Sequence, residues 1–238
     1  MINPLYIQTI MFHPDTINFL KTLKENNNRN FFAIIKPLYE EVYKQFLTVW
    51  DQIISQIKEF DDTIEDSLTI KNCAFRIYRD ARRLKEWDPI YKTNFGFAVS
   101  PGGKNSSYPW YYLHIEPWKS FFGGGVYRPE PSQLLNLRHY ITIYGDKYMQ
   151  LVSDKKFVAT LGKVSWECLT RPPSGFSKDS PHLALLMRKQ HLIMKAYSDT
   201  ELLDNKFIST FITDCKIAMP WFHFLSNGYN YEWWKTKL

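Results

Sequence analysis

An α+β fold, with a largely antiparallel central sheet flanked by N-terminal and C-terminal helices, follows from three features of this chain. Apolar residues recur at helical spacing over residues 14–60, and alternation with turn signals takes over from about 68 to 128. Helical spacing then returns from 129 to 225, with one further strand. Consecutive strands joined by short turns pair antiparallel. With 238 residues, 45% of them hydrophobic, the chain can bury a substantial core; we expect one α+β domain spanning it, with a short tail over 226–238.

The first helix is expected from Pro14 to Glu25, with proline in the first turn, Asp15 beside the positive helix end, and Ile17, Leu20 and Leu23 on one face. Asn26-Asn27-Asn28 ends it. Asn28 then caps a short helix through Phe31, Phe32 and Ile35, and Pro37 opens a long one to about Phe60. Leu38, Val42, Val49, Ile53, Ile57 and Phe60 give that helix a core-facing stripe, widened by Tyr39, Tyr43 and Trp50. Asp61, Asp62, Glu65 and Asp66 read as a solvated linker.

Strands are expected near Ala74–Arg79, Thr93–Val99, Trp110–Glu116 and Ser120–Tyr127, the middle two joined through Ser100-Pro101-Gly102-Gly103. Pro131 starts a helix containing Leu134, Leu135, Leu137 and Ile141, followed by helical pieces at Lys147–Leu151 and Lys155–Leu161. A helix near His182–Lys189, a strand near His191–Lys195 and a helix from Asn205 to about Leu225 complete the reading.

Charge is localised. Of the 30 Lys and Arg and 24 Asp and Glu, the segment from Lys71 to Arg128 holds ten basic and four acidic residues, so the whole net charge of +6 resides there. A field of one sign attracts anions: phosphate esters, carboxylates or nucleic acid. Three scattered cysteines, Cys73, Cys168 and Cys215, match neither a disulfide framework nor a zinc site. That pattern, with no apolar run of membrane-spanning length and no signal peptide at the first residues, leads us to expect an intracellular, cytoplasmic protein without a membrane partner.

The cationic cluster is densest in the stretch Arg76-Ile77-Tyr78-Arg79-Asp80-Ala81-Arg82-Arg83. On a strand, Arg76, Tyr78, Asp80 and Arg82 share one face. One carboxylate among guanidiniums either orients them toward a ligand's oxygens or closes an internal ion-pair network. The pattern Arg76-x-x-Arg79-Asp80-x-Arg82, followed by Tyr91-Lys92-Thr93-x-Phe95-Gly96, resembles the signature of the domain of unknown function 2461 family. The resemblance runs from Phe19-Leu20 and Asn27-Asn28-Arg29 through Tyr111 and Pro131 to Arg171-Pro172-Pro173 and Gly175-Phe176. It implies no reaction. The chain departs from the family pattern at Arg83, where Phe is usual, and around Glu86, Trp87 and Asp88, where an Asp/Asn-Lys pair has no match.

Tyr112, His114 and Glu116 share a strand face, so His114 and Glu116 are candidates for proton transfer, with Asp80 orienting the arginines; the alternative is an ordinary polar sheet face. Gly123-Gly124-Gly125 implies a bulge or close approach by a ligand or another backbone. No metal-ligand spacing is evident. The candidate ligand-binding set is therefore Arg76, Arg79, Arg82, Tyr91, Lys92, Gly124, Tyr127 and Arg128, with a small phosphate or carboxylate as the favoured partner. Aromatics interleaved with the basic residues over 71–128 support a second reading, a nucleic-acid-binding module.

Overall fold

The computed structural model describes residues 11–80, 82, 84, 85, 88–164, 167–232 and 235. In chain order the elements are α1 (Pro14–Glu25), α2 (Arg29–Lys58), α3 (Ile70–Cys73), β1 (Phe95–Val99), β2 (Trp110–Ile115), β3 (Ser120–Val126), α4 (Pro131–Ser153), α5 (Lys155–Leu161), α6 (Leu183–Leu186), β4 (His191–Tyr197), α7 (Asp199–Leu202) and α8 (Phe207–Tyr229). The sheet is antiparallel throughout, in the order β1-β2-β3-β4. The fold is α+β, as the sequence predicts.

Alternation along β2 decides which side chains meet the helices. Tyr111, Leu113 and Ile115 are buried, while Trp110, Tyr112 and His114 are half-buried on the other face. The buried face packs on α2 and α8: Trp50 stacks on Phe97 at 3.7 Å, and Phe211 meets Phe122 edge-on at 5.4 Å. One hydrophobic cluster runs from Phe12 through these residues to Tyr229.

Four expectations are corrected. Helix α2 is continuous through Pro37 rather than split before it. Proline removes one ladder bond, yet Ala33 and Pro37 lie on the exposed side, where water can satisfy the freed carbonyl. Leu38, near the start of the anticipated stripe, is 39% exposed rather than buried. Helix α4 likewise continues through the anticipated gap, interrupted only at Tyr144, beside Gly145, whose missing side chain makes room for the His182 ring.

The segment 74–79 is not a strand. Ala74 and Tyr78 make isolated bridges to Phe97 and Tyr91, and the chain between them bonds irregularly, Phe75 N–H to Gly96 and Lys92 N–H to Ile77. Its burial alternates only around Ile77, which is buried between exposed Arg76 and Tyr78; Arg79, of the same parity as Ile77, is exposed. Finally, Asp61 belongs to the core, not to a solvated linker. It is 2% exposed and accepts hydrogen bonds from Tyr111 (2.6 Å), Thr63 (2.6 Å) and His223 (2.9 Å). Burial alone would raise its pKa, but these donors outweigh that penalty and hold it below the ordinary carboxylate value.

Candidate functional site

The glycine triplet lies in an unbroken ladder, without the expected bulge: Gly123, Gly124 and Gly125 pair with Tyr112, Tyr111 and Trp110 on one side and with Met194, Ile193 and Leu192 on the other. Each glycine answers a different steric demand. A Cβ on Gly124 would collide with Phe222 of α8, and one on Gly125, at φ +107°, with the carbonyl of His191. Gly123 faces the other way, with the Phe121 and Tyr112 rings around it. Gly124 therefore contributes backbone to the open face, while its side-chain direction is filled by the core.

That open face holds two adjoining clefts. One, of about 300 Å³, is lined by Phe75, Lys92, Asn94, Gly96, Tyr112 and His114. Its neighbour, of about 310 Å³, is apolar: Trp110, Tyr112, Phe121, Tyr127, Leu192 and Met194 surround a floor of Gly123 and Gly124. Tyr112 belongs to both.

In the polar cleft, β2 places His114 and Tyr112 two residues apart, and Gly96 on β1 lies opposite His114. Tyr112 hydroxyl lies 2.9 Å from His114 Nδ1, Asn94 Nδ2 lies 3.4 Å from the same nitrogen, and Glu116 Oε2 lies 3.2 Å from Nε2. A carboxylate on Nε2 and two available donors at Nδ1 select one tautomer: Nε2–H donates to Glu116, and Nδ1 accepts. Burial lowers the His114 pKa, with Glu116 opposing, so the ring is neutral near pH 7. The Tyr112 phenol is pushed well above its ordinary value by burial and by the Glu116 charge. Gly96 is required for this geometry, because a Cβ there would stand 2.8 Å from the phenolic oxygen.

Lys92 is the charge in the cleft. Its ammonium lies 5.5 Å from the Phe75 ring, and no carboxylate lies within ion-pair distance of it among the described residues. Burial, then Arg79 and Lys104, lower its pKa.

The structure disperses much of the remaining sequence-predicted set. Arg82 makes a bidentate pair with Asp80, with both bonds at 2.9 Å, on the surface. Arg76 lines a separate cleft of about 410 Å³ with Lys71 and Lys104. Lys104 donates to the carbonyls of Lys71 and Ala74 and so closes that loop. Tyr91 stacks on Phe32 at 3.9 Å, and its backbone is clamped on both sides by the Asn27 amide. Arg128 stands at the groove's rim with its guanidinium 5.0 Å from the Tyr127 ring. Arg83, Glu86 and Trp87, where the chain departs from the family pattern, lie outside the described residues.

Trp110, Asn94, Gly96, Phe121 and Met194 were not among the predicted site residues. For Gly96 a signal existed in Tyr91-Lys92-Thr93-x-Phe95-Gly96, which places it beside Lys92 in the chain. Asp61, Asp62 and His223 bring ligand atoms within 4.8 Å of one another, the spacing a metal ion would need. Asp61 already uses both oxygens on Thr63, Tyr111 and His223, which makes this cluster a closed hydrogen-bond knot.

A family model described as Conserved hypothetical protein (DUF2461) matches residues 15–224. The chain belongs to that family. The match covers both clefts and all the elements that build them. No curated protein and no solved structure matched the chain. For this DUF2461 member, function must therefore be argued from the site itself. Among the described residues, no helix is long and apolar enough to cross a membrane.

Proposed function

We propose that the cleft between Lys92 and His114 binds a small anionic ligand, a carboxylate or a phosphate ester. The observation that carries this reading is the half-buried Lys92 ammonium, without a carboxylate partner among the described residues, beside the Asn94 amide and the Tyr112-His114-Glu116 chain. A desolvated cation is unfavourable until an anion joins it, so the site is poised for one. Arg79 adds to the positive field around Lys92. Both nitrogens of His114 are engaged, so any proton transfer to a ligand would run through Tyr112, with His114 and Glu116 behind it.

The nucleic-acid reading of residues 71–128 finds less support. Tyr91 and Tyr111 are buried in packing, which removes two of the aromatic platforms it needs. Thermal unfolding against acetate, inorganic phosphate, sugar phosphates and short oligonucleotides tests both readings. A ligand at a hundred times its Kd adds about 2.7 kcal/mol, a Tm rise on the order of 5–10 °C for a chain of this length. We expect a rise with a small anion that Lys92→Met abolishes. A rise confined to oligonucleotides and erased by moderate salt, or no rise with any anion, would overturn the proposal.

A further inference from the structure

The apolar groove beside the Lys92 cleft specifies what the anion is attached to. We propose that the ligand is amphipathic, an organic acid whose anionic head sits at Lys92 and whose flat ring or short hydrocarbon body lies in the groove floored by Gly123. This rests on the anion-binding reading above and extends it.

Three observations converge. The first is adjacency: Tyr112 lines both clefts, its hydroxyl beside Gly96 in one and its ring beside Gly123 in the other. Each volume alone is at the lower end for a small-molecule site, and a ligand that reaches past Tyr112 would use both. The second is the character of the groove. Trp110 stands edge-on to Tyr112 at 5.2 Å and to Tyr127 at 6.3 Å, while Phe121, Leu192 and Met194 complete an apolar wall. Met194 and Tyr127 are 56% and 45% exposed, so apolar surface faces water at the place where a ligand would cover it. Gly123 keeps the floor low, since any side chain there would rise between Phe121 and Tyr112.

The third is charge. An aromatic enclosure can also take an organic cation, but here Arg128 already lies against Tyr127, and Lys92 and Arg79 flank the other end. Cations at both ends favour an acid with an uncharged body.

The test compares ligands that differ in one part only. Calorimetric titration uses acetate, butyrate, hexanoate and 3-phenylpropionate, then hexanol as the body without the head, and hexyltrimethylammonium as the cationic counterpart. Burying one methylene is worth about 0.8 kcal/mol, so affinity should rise about fourfold for each one added to the acid. Met194→Asp, a change at an exposed position that leaves the core untouched, should flatten this dependence while acetate binding persists. Lys92→Met should weaken every acid and leave hexanol unchanged. If acetate or phosphate binds but lengthening the body adds nothing, the amphipathic inference is wrong and the anion site survives. Hexanol or the ammonium compound binding as tightly as hexanoate would also refute the inference. Absence of binding by every acid would refute both readings together.

Discussion

His191 is a buried base that makes this protein acid-sensitive in a defined window. The ring is fully buried where β4 begins, with Nδ1 3.0 Å from the Tyr148 hydroxyl and no hydrogen-bond partner for Nε2 among the described residues. Burial, then the charges of Arg188 and Arg138, lower its pKa from 6.5 to about 3. The unfolded chain therefore takes up a proton that the folded chain refuses as pH falls below 6.5. Stability contributed by the neutral ring is complete above the unfolded value and is lost progressively down to the folded one. Between about pH 7 and pH ~4.5 the proton linkage gives a loss of about 2–3 kcal/mol from this one residue. Urea unfolding at the two pH values measures it, and stopping at pH ~4.5 keeps most carboxylate titration out of the comparison. His191→Asn retains an acceptor near Nδ1 for Tyr148 and does not titrate, so its stability should be lower at neutral pH but fall about 2–3 kcal/mol less on acidification. If both proteins lose stability in parallel, the ring is not the group that refuses the proton, and the reasoning fails.

Other perturbations follow from the same geometry. Gly96→Ala should displace the Tyr112 phenol, destabilise the fold by about 1–3 kcal/mol and remove the thermal response to small anions, read from unfolding scans with and without ligand. Asp61→Asn should cost about 1–3 kcal/mol near pH 7. Because the Asp61 pKa is depressed, its contribution is present above the unfolded carboxylate value and is lost as pH falls through the folded one; the variant should therefore converge on the parent protein at low pH. Asp214 is 1% exposed, receives Lys195 at 2.6 Å and also bonds the Tyr197 hydroxyl. Asp214→Ala strands both partners and should cost about 3–5 kcal/mol by urea unfolding. Lys92→Met should leave Tm unchanged or raise it, since removing a desolvated charge relieves a penalty; a clear drop would mean that Lys92 supports the fold rather than a ligand.

The sheet was legible because its signal is local. Alternation in Trp110-Tyr111-Tyr112-Leu113-His114-Ile115 reports burial on one face whatever the partner strands are, and it placed His114 correctly beside Glu116. The segment Ala74–Arg79 carries a similar sequence pattern, but its neighbours bond it through scattered groups rather than a ladder, a difference that the pattern does not encode. The arginines depend on the same difference: on an irregular loop shared parity does not give a shared direction, and Arg76 lines a separate cleft while Arg82 pairs with Asp80 on the surface. Asp61 was hidden because its partners, Tyr111 and His223, come from distant parts of the chain. An acidic run looks solvated until the fold brings donors to one member of it. The apolar groove needed register: Trp110, Gly123 and Met194 lie far apart in sequence and meet only through the β2-β3-β4 ladder.

The placement of β4 also has a consequence during synthesis. Strands β1 to β3 emerge in succession and can pair as they appear, but β3 waits for its second partner until α4, α5 and α6 have been made. At about 5–20 residues per second that interval lasts seconds, during which the β3 edge is open to any strand a neighbouring nascent chain offers. Gly123-Gly124-Gly125 lie within that edge, and a run of glycine offers little side-chain surface to a partner and carries a high entropic penalty for ordering. The same three residues that admit Phe222, the His191 carbonyl and the groove in the finished protein thus raise the entropic cost of pairing that edge while it stands open.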